Sequence, residues 1–146
     1  MNTDLLFKKY KKQIIRQLGK QALDNYQLDA LGKQFFGKKY LGTFAHDQLP
    51  NRSGYLIVNV DTYKRINTPA AHWVGIYQTP KTVYAYDSFG RLTKNVLKII
   101  TKNTTKRIVD SKHDAEQYGY TEICGHLAAS WLCVVRDIGI RKALTI

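Results

Sequence analysis

The chain has few cysteines, and it has no long apolar run. Two cysteines in 146 residues are too few for the disulfide scaffold that stabilises small secreted domains. No apolar stretch approaches the ~20 residues that a membrane-spanning helix needs. Leu5, Leu6 and Phe7 are followed at once by Lys8 and Lys9, so the N-terminal segment lacks the apolar core of a signal peptide. We therefore expect an intracellular protein that does not associate with a membrane.

Patterns that bind metals or phosphates are missing as well. Neither the cysteines nor the histidines show the CxxC or HxxxH spacing that zinc sites commonly use. Glycine-rich phosphate loops are absent too. We therefore expect no metal site and no required cofactor. The four histidines are His46, His72, His113 and His126.

What the chain has in quantity is positive charge. It carries 23 lysines and arginines against 11 acidic residues, a formal net charge of +12. Such a surface attracts polyanions through counterion release; the plainer interpretation is charge that keeps the protein in solution. Because 44% of the residues are hydrophobic and neither a repeat nor a linker interrupts the chain, we expect residues 1–146 to form one compact domain.

The N-terminal segment, residues 1–25, has the pattern of an amphipathic helix. Apolar residues recur at every fourth position: Leu6, Tyr10, Ile14 and Leu18. Five cations fall between them: Lys8, Lys9, Lys11, Lys12 and Arg16. We expect a helix with Thr3 or Asp4 as its N-cap. Its basic side is either an arm that binds a polyanion such as DNA or the solvated face of a helix packed on the core.

Further along, hydrophobic periodicity and turn residues predict strands and helices in the order helix, strands, helix, strand, helix. This order is typical of an α+β domain. The second helix is expected to end at Gly32. The predicted strands are residues 55–60, 72–77, 82–87 and 105–110, and the predicted later helices are residues 25–31, 92–100 and 125–136.

Cys124 stands after a polar loop and directly before a run of helix formers. An unperturbed thiol, with a pKa of ~8.5, is only a few per cent thiolate at neutral pH. At the first turn of a helix, however, unpaired N–H groups and the helix dipole favour the anion. Cys124 is therefore a candidate nucleophile, and the alternative is an inert core thiol, which is how we interpret Cys133. On one helix their Cα atoms would be ~13 Å apart, beyond the ~7 Å that a disulfide spans.

His72 opens one predicted strand and Asp87 closes the next, so a hairpin would bring both to the same end of the sheet. Asp87 could then accept a hydrogen bond from one imidazole nitrogen and fix the tautomer. The imidazole could hold a thiolate as an ion pair and later protonate the leaving amine. The alternative for His72 is a core histidine whose hydrogen bonds are satisfied there. The alternative for Asp87 is an aspartate that caps the turn at residues 88–90.

Acyl transfer also needs hydrogen-bond donors aimed at the developing oxyanion. The backbone N–H of Cys124 and the side-chain amide of Gln117 are candidates, although an isolated loop glutamine is ordinarily a solvated surface residue. His126 would point away from the thiol by ~200° on a helix. We therefore expect a surface or packing role for His126.

The order of these candidate residues along the chain resembles that of the adenovirus-type cysteine proteases, the adenains. Their clan includes the Ulp1-type SUMO proteases. The motifs that carry the resemblance are His72-Trp73, Asp87 before Ser-Phe-Gly, Gln117, and Cys124-Gly125. The interval from Gln117 to Cys124 resembles that of the adenoviral enzyme, and residues 40–44 resemble the entry to its first strand. The resemblance covers residues 26–135.

The resemblance implies a central mixed β-sheet flanked by helices, with the nucleophile at the N-terminus of a buried helix and residues 26–135 as the protease core. The roles it implies are nucleophile for Cys124, base for His72, orienting carboxylate for Asp87 and oxyanion donor for Gln117. We place Trp73 and Gly125 at the substrate-binding surface.

The resemblance also implies a function, the processing of viral precursor proteins during capsid maturation, at sites with small residues such as glycine beside the cut. Relatives occur in virophages and Polinton-like elements as well as in adenoviruses. We expect a monomer that acts in the virion and in the virus factory of the host cell. DNA is a cofactor of the adenoviral enzyme, and here it would bind the cations of the first helix.

The chain also departs from the family. The carboxylate is glutamate in adenoviruses and aspartate here, and residues 102–114 contain no cysteine, so a disulfide-linked activating peptide is not supported. Two other functions stay open. One is a SUMO- or ubiquitin-like deconjugating isopeptidase, and the other is a basic DNA-binding virion protein without enzymatic activity.

Overall fold

The computed structural model describes residues 2–45, 48–60, 72–88, 105–111 and 122–146. These residues form an α+β arrangement in which helices pack against a five-stranded mixed sheet. The helices are α1 (Thr3–Leu18), α2 (Asn25–Phe36), α3 (Cys124–Ile138) and the short α4 (Ile140–Ala143), with a 3-10 turn at Gly37–Lys39. The strands are β1 (Tyr40–Ala45), β2 (Gly54–Asn59), β3 (Trp73–Gln78), β4 (Thr82–Tyr86) and β5 (Arg107–Asp110).

The order of strands in the sheet follows their order in the chain, β1-β2-β3-β4-β5. The outer pairs, β1–β2 and β4–β5, are parallel, whereas β3 is antiparallel to both of its neighbours. Four strands therefore end, and β3 begins, at one end of the sheet. We call this the C-terminal end of the sheet, and it is where side chains from several strands can meet.

The main core lies between the helices and one face of the sheet. The helix α3 is buried along most of its length because its sequence is almost entirely apolar. Its Trp131 is fully buried and stacks on Tyr86 of β4, with ring centroids 5.5 Å apart. A second buried cluster, made of strand residues such as Val58 and Ile76, lies on the other face of the sheet.

The prediction of an amphipathic N-terminal helix is confirmed, but its N-cap was wrong. The side chain of Asn2 accepts a hydrogen bond from the backbone N–H of Leu5 (3.1 Å), so Asn2 and not Thr3 or Asp4 caps α1. The apolar side of the helix packs on α3: Leu6, Phe7, Tyr10 and Ile14 are buried. Four of its cations are exposed: Lys8, Lys9, Lys12 and Arg16. Lys11 is half-buried.

The helix α2 does not end at Gly32, as the sequence had indicated, but continues to Phe36. It begins with a capping box, in which Asp24 accepts from the backbone N–H of Gln27 and the Gln27 side chain accepts from that of Asp24. Gly32 faces the ring of Tyr40, and a Cβ at this position would lie 2.3 Å from ring atoms. The glycine is therefore a packing residue inside the helix rather than a stop signal.

The remaining secondary-structure predictions agree with the structure where it can be compared. The predicted strands correspond to β2, β3, β4 and β5, and the predicted last helix corresponds to α3, which begins at Cys124. The predicted helix over residues 92–100 lies outside the described residues. None of the helices in the described part of the chain is long and apolar enough to span a bilayer.

Replacement of Gly32 by alanine is expected to destabilise the fold by about 1–3 kcal/mol, because the new methyl group overlaps the Tyr40 ring. Elsewhere in a helix the same change would stabilise by up to about 1 kcal/mol. The free energy of unfolding from urea titration checks the sign. As a control, Gly32→Ala in a Tyr40→Leu background, where the clashing ring atoms are gone, is expected to be neutral or stabilising; a loss of equal size there would contradict the packing explanation.

Candidate active site

The β3–β4 hairpin brings His72 and Asp87 to the C-terminal end of the sheet. His72 directly precedes β3, and its backbone carbonyl accepts from the N–H of Val60 at 3.1 Å, which extends the β2–β3 ladder by one step. Asp87 directly follows β4. The imidazole Nε2 lies 2.9 Å from Oδ1 of Asp87, and their side chains are only 13% and 5% exposed. The predicted pairing of these two residues is therefore present.

Cys124 is the first residue of α3, and it hydrogen-bonds to the same imidazole. Because Nε2 is engaged by Asp87, Nδ1 is the ring nitrogen that is left for the sulfur. The thiol is buried, with 8% of the residue exposed. Carboxylate, imidazole and thiol thus form one continuous chain of contacts built from β4, β3 and α3.

Burial alone would lower the pKa of His72, but the hydrogen bonds and charges of Asp87 and Cys124 outweigh it and raise the pKa to about 9. The imidazole is therefore a cation at neutral pH. Its pKa is higher in the folded than in the unfolded chain, where it is near ~6.5. The stabilisation from this cluster is fully present below that value and is lost as the pH rises through about 9. A cation held beside a sulfur is the arrangement that favours a thiolate.

The start of α3 offers backbone donors next to the sulfur. The N-cap residue is Ile123, whose side chain cannot accept a hydrogen bond, so it does not cap the helix. The N–H groups of a first helical turn have no partner within the helix. They are suited to an oxyanion that develops beside Cys124. Gln117, the predicted side-chain donor, lies outside the described residues.

Trp73 and Gly125 do not lie where a substrate could contact them, which corrects the expectation for both. Trp73 is only 1% exposed, and its indole N–H donates to the backbone carbonyl of Leu23 at 3.1 Å. Gly125 is buried, and a Cβ there would meet the side chain of Leu28 at 3.0 Å. Both residues support the site from inside the protein.

Cys133 lies within α3 and is fully buried. Both cysteines are free, as their spacing on one helix predicted. Burial raises the pKa of the Cys133 thiol to about 12. The two sulfurs of this chain are therefore chemically distinct, since Cys124 contacts a cationic imidazole and Cys133 is enclosed by the core.

Asp110 is a residue at this end of the sheet that the sequence did not single out. It ends β5 and pairs with Ala85 of β4, so strand alternation places its side chain on the same face as that of Asp87. Burial, and then the negative charge of Asp87, raise the pKa of Asp110 to about 7, against a hydrogen bond from the backbone of Ser111. The signal in the sequence was that two predicted strands, residues 82–87 and 105–110, both end in aspartate. Parallel pairing of these strands places the two carboxylates at the same end of the sheet.

His126 was expected to have a surface or packing role, and the structure shows that it is fully buried. Its Nε2 lies 2.7 Å from the backbone carbonyl of Gly19, at the end of α1. His46 and His113 lie outside the described residues. Among the residues that the structure does describe, no group of three or more potential ligands could hold a metal ion.

The exposed side of α1 forms a second feature with functional character, a shallow basic groove of about 460 Å³. Its lining contains no acidic residue: Leu5, Lys8, Lys9, Lys12, Gln13 and Arg16. Leu5 is one of the few large apolar side chains left exposed in the described part of the chain. We call this surface the basic face of α1.

Comparison with known proteins adds no further constraint. The chain matches no protein-family model and no curated protein.

Proposed function

We propose that this protein is a cysteine endopeptidase in which Cys124 is the nucleophile, His72 the acid–base group and Asp87 the carboxylate that orients the imidazole. The observation that supports this most directly is the placement of one cationic imidazole between a carboxylate, at 2.9 Å, and a thiol at a helix N-terminus. Each part of a nucleophile–base–orienter set is then within hydrogen-bond reach of the next.

The reaction would proceed in two halves. The Cys124 thiolate attacks the peptide carbonyl carbon, and the resulting oxyanion is bound by N–H groups at the start of α3 and, in our proposal, by the amide of Gln117. The His72 imidazolium gives its proton to the leaving amine as the C–N bond breaks, which leaves a thioester on Cys124. His72, now neutral, takes a proton from water, whose oxygen attacks the thioester and releases the acid and the thiolate.

The substrate class is proposed from the resemblance to the adenovirus-type proteases. We place the protein in that family, with viral capsid and core precursors as its substrates and cleavage next to small residues such as glycine. The setting would be the virion and the virus factory during maturation, and the active species a monomer. The helix-and-sheet arrangement is compatible with this proposal, as is the position of the nucleophile at the start of the buried helix α3.

The basic face of α1 supports DNA as an activator. Its lysines and arginine are exposed rather than committed to ion pairs with the residues that line the groove. Phosphate contacts of this kind add non-specific affinity that falls steeply with salt. DNA bound there would concentrate enzyme and precursors on the same polymer.

Replacement of the nucleophile gives the primary test. Cys124→Ala is expected to abolish cleavage of capsid precursors in a protein that still folds, because the change removes one small side chain at the helix start. Cleavage is read by gel and mass spectrometry, with Cys133→Ala as the matched control that keeps activity. Undiminished cleavage by Cys124→Ala would remove the proposal, and cleavage of a fluorogenic SUMO or ubiquitin substrate in place of precursors would favour the isopeptidase.

The raised pKa of His72 predicts how the reactivity of the thiol depends on pH. At about pH 6, Cys124 of the wild type is expected to react with iodoacetamide at least about tenfold faster than in His72→Gln, because a cationic imidazole lies beside the sulfur only in the wild type. The difference should vanish above about pH 9, where the imidazole is neutral. Peptide mapping follows each cysteine separately, and slow Cys133 serves as the internal reference. Equal rates at low pH would argue against the ion pair.

The role of the basic face is tested by charge removal. The variant replaces four exposed cations of α1 by glutamine: Lys8, Lys9, Lys12 and Arg16. It is expected to abolish DNA stimulation of cleavage and to reduce the salt dependence of DNA binding by about one unit of slope for each phosphate that the variant no longer binds. The control variant removes the same charge elsewhere: Lys38, Lys39, Arg141 and Lys142. If both variants behave alike, net charge and not this face is responsible.

A further inference from the structure

The loop between α1 and α2, residues 19–24, is tied to both sides of the candidate site. The carbonyl of Gly19 accepts from Nε2 of His126 at 2.7 Å. The carbonyl of Leu23 accepts from the indole N–H of Trp73 at 3.1 Å. His126 is two residues after the nucleophile and Trp73 is the residue after His72. One loop therefore holds a neighbour of each member of the thiol–imidazole pair.

The ends of this loop are fixed independently. At one end, the N–H of Gly19 donates to the carbonyl of Ile15 and closes α1. At the other end, Asp24 caps α2 through its bonds with Gln27. Leu23 is 1% exposed, so the loop is also packed into the core. It is thus a rigid support rather than a free connection.

His126 makes this contact from a fully buried ring. The residue is 0% exposed, and its Nδ1 is buried without a hydrogen-bond partner among the described residues. Burial lowers the pKa of His126, against the Gly19 carbonyl, which raises it. The imidazole is therefore neutral near pH 7, with its proton on Nε2. A second proton would put a charge and an unpaired Nδ1–H in the core, which is costly.

No charged side chain of the described residues contributes to this pKa shift, whose causes are burial and the Gly19 carbonyl alone. Of the charged groups nearest in the chain, Arg16 on α1 and Lys20 on the loop are exposed. Asp24 is engaged at the start of α2. On α3, the titratable neighbour is Cys124. None of them stands ready to neutralise a protonated His126.

We propose that residues 19–24 form a clamp that sets the distance between Cys124 and His72, with His126 as a positioning residue. The proposal rests on the catalytic roles given above to Cys124 and His72. The contact of His126 with Gly19 also connects the end of the basic helix α1 to the helix that carries the nucleophile.

The lowered pKa of His126 also determines how this residue affects the stability of the fold as the pH changes. Above the unfolded value, near ~6.5, the residue is neutral in both the folded and the unfolded chain. Below it the unfolded chain takes up the proton first, so the stabilisation is lost as the pH falls. This is opposite to the effect of His72, which is lost as the pH rises.

The test compares His126→Gln, whose amide N–H can replace Nε2–H but cannot titrate, with His126→Leu, which has no donor. The reaction rate of Cys124 with iodoacetamide is followed by peptide mapping at about pH 7. His126→Gln should keep the wild-type rate, whereas His126→Leu should be at least about tenfold slower.

A second pair of variants tests the other attachment and guards against simple misfolding. Trp73→Phe removes only the N–H that Leu23 accepts, and it is expected to slow the alkylation of Cys124 about tenfold. The matched control is Trp131→Phe, which removes a buried indole bond of 2.9 Å to the carbonyl of Ala143. This variant keeps an aromatic ring against Tyr86, so it should lower stability by a similar amount and leave the rate unchanged.

Two results would overturn the clamp. One is a wild-type alkylation rate in His126→Leu, and the other is an equal slowing by Trp73→Phe and Trp131→Phe. The alkylation rate is read without any peptide substrate. If the variants behave as expected but the protein has no peptidase activity, the proposed function is contradicted and the clamp is not. If the protein is a peptidase but the variants do not behave as expected, the clamp is contradicted and the proposed function is not.

Discussion

The close approach of α3 to the sheet is the constraint on which the rest of the structure depends. Gly75, in the middle of β3, lies under the helix, and a Cβ there would be 3.1 Å from the carbonyl of Ala128. The stacking of Trp131 on Tyr86 fills the space beside it. Because α3 is a rigid rod, fixing its middle against β3 and β4 also fixes its first residue. The thiol of Cys124 reaches the imidazole by this route.

Arg136 holds the far end of α3 against the other helices. The guanidinium of Arg136 donates to the hydroxyl of Tyr10 at 2.7 Å and to the carbonyl of Phe35 at 2.8 Å, so it joins α3 to α1 and to α2. It also lies over three aromatic rings: those of Tyr10, Phe35 and Phe36. Arginine can make such contacts because its planar cation both stacks and donates in a fork. The helix is therefore positioned at both of its ends.

The sequence predicted those parts of the site that depend on local pattern. Alternation and turn residues placed His72 and Asp87 at one end of a hairpin, and the run of helix formers placed Cys124 at a helix start. The parts that were wrong depend on contacts between distant segments. Gly32 is a residue type that often ends a helix, but its contact with the ring of Tyr40 shows that here it is needed for packing. Trp73 resembled a substrate contact because its burial under the loop of residues 19–24 has no signal in its neighbours.

The assembly of the site from segments far apart in the chain has a consequence for the order of folding. The hairpin that carries His72 and Asp87 can form early, because its contacts are local, whereas the contacts of α1 with α3 join opposite ends of the chain and form late. Until those ends meet, the sulfur has no imidazolium beside it and reacts like any cysteine of an unfolded chain. In the proposed function, newly synthesised protein would acquire its nucleophile only with its native packing, which would delay any cleavage of neighbouring polypeptides until folding is complete.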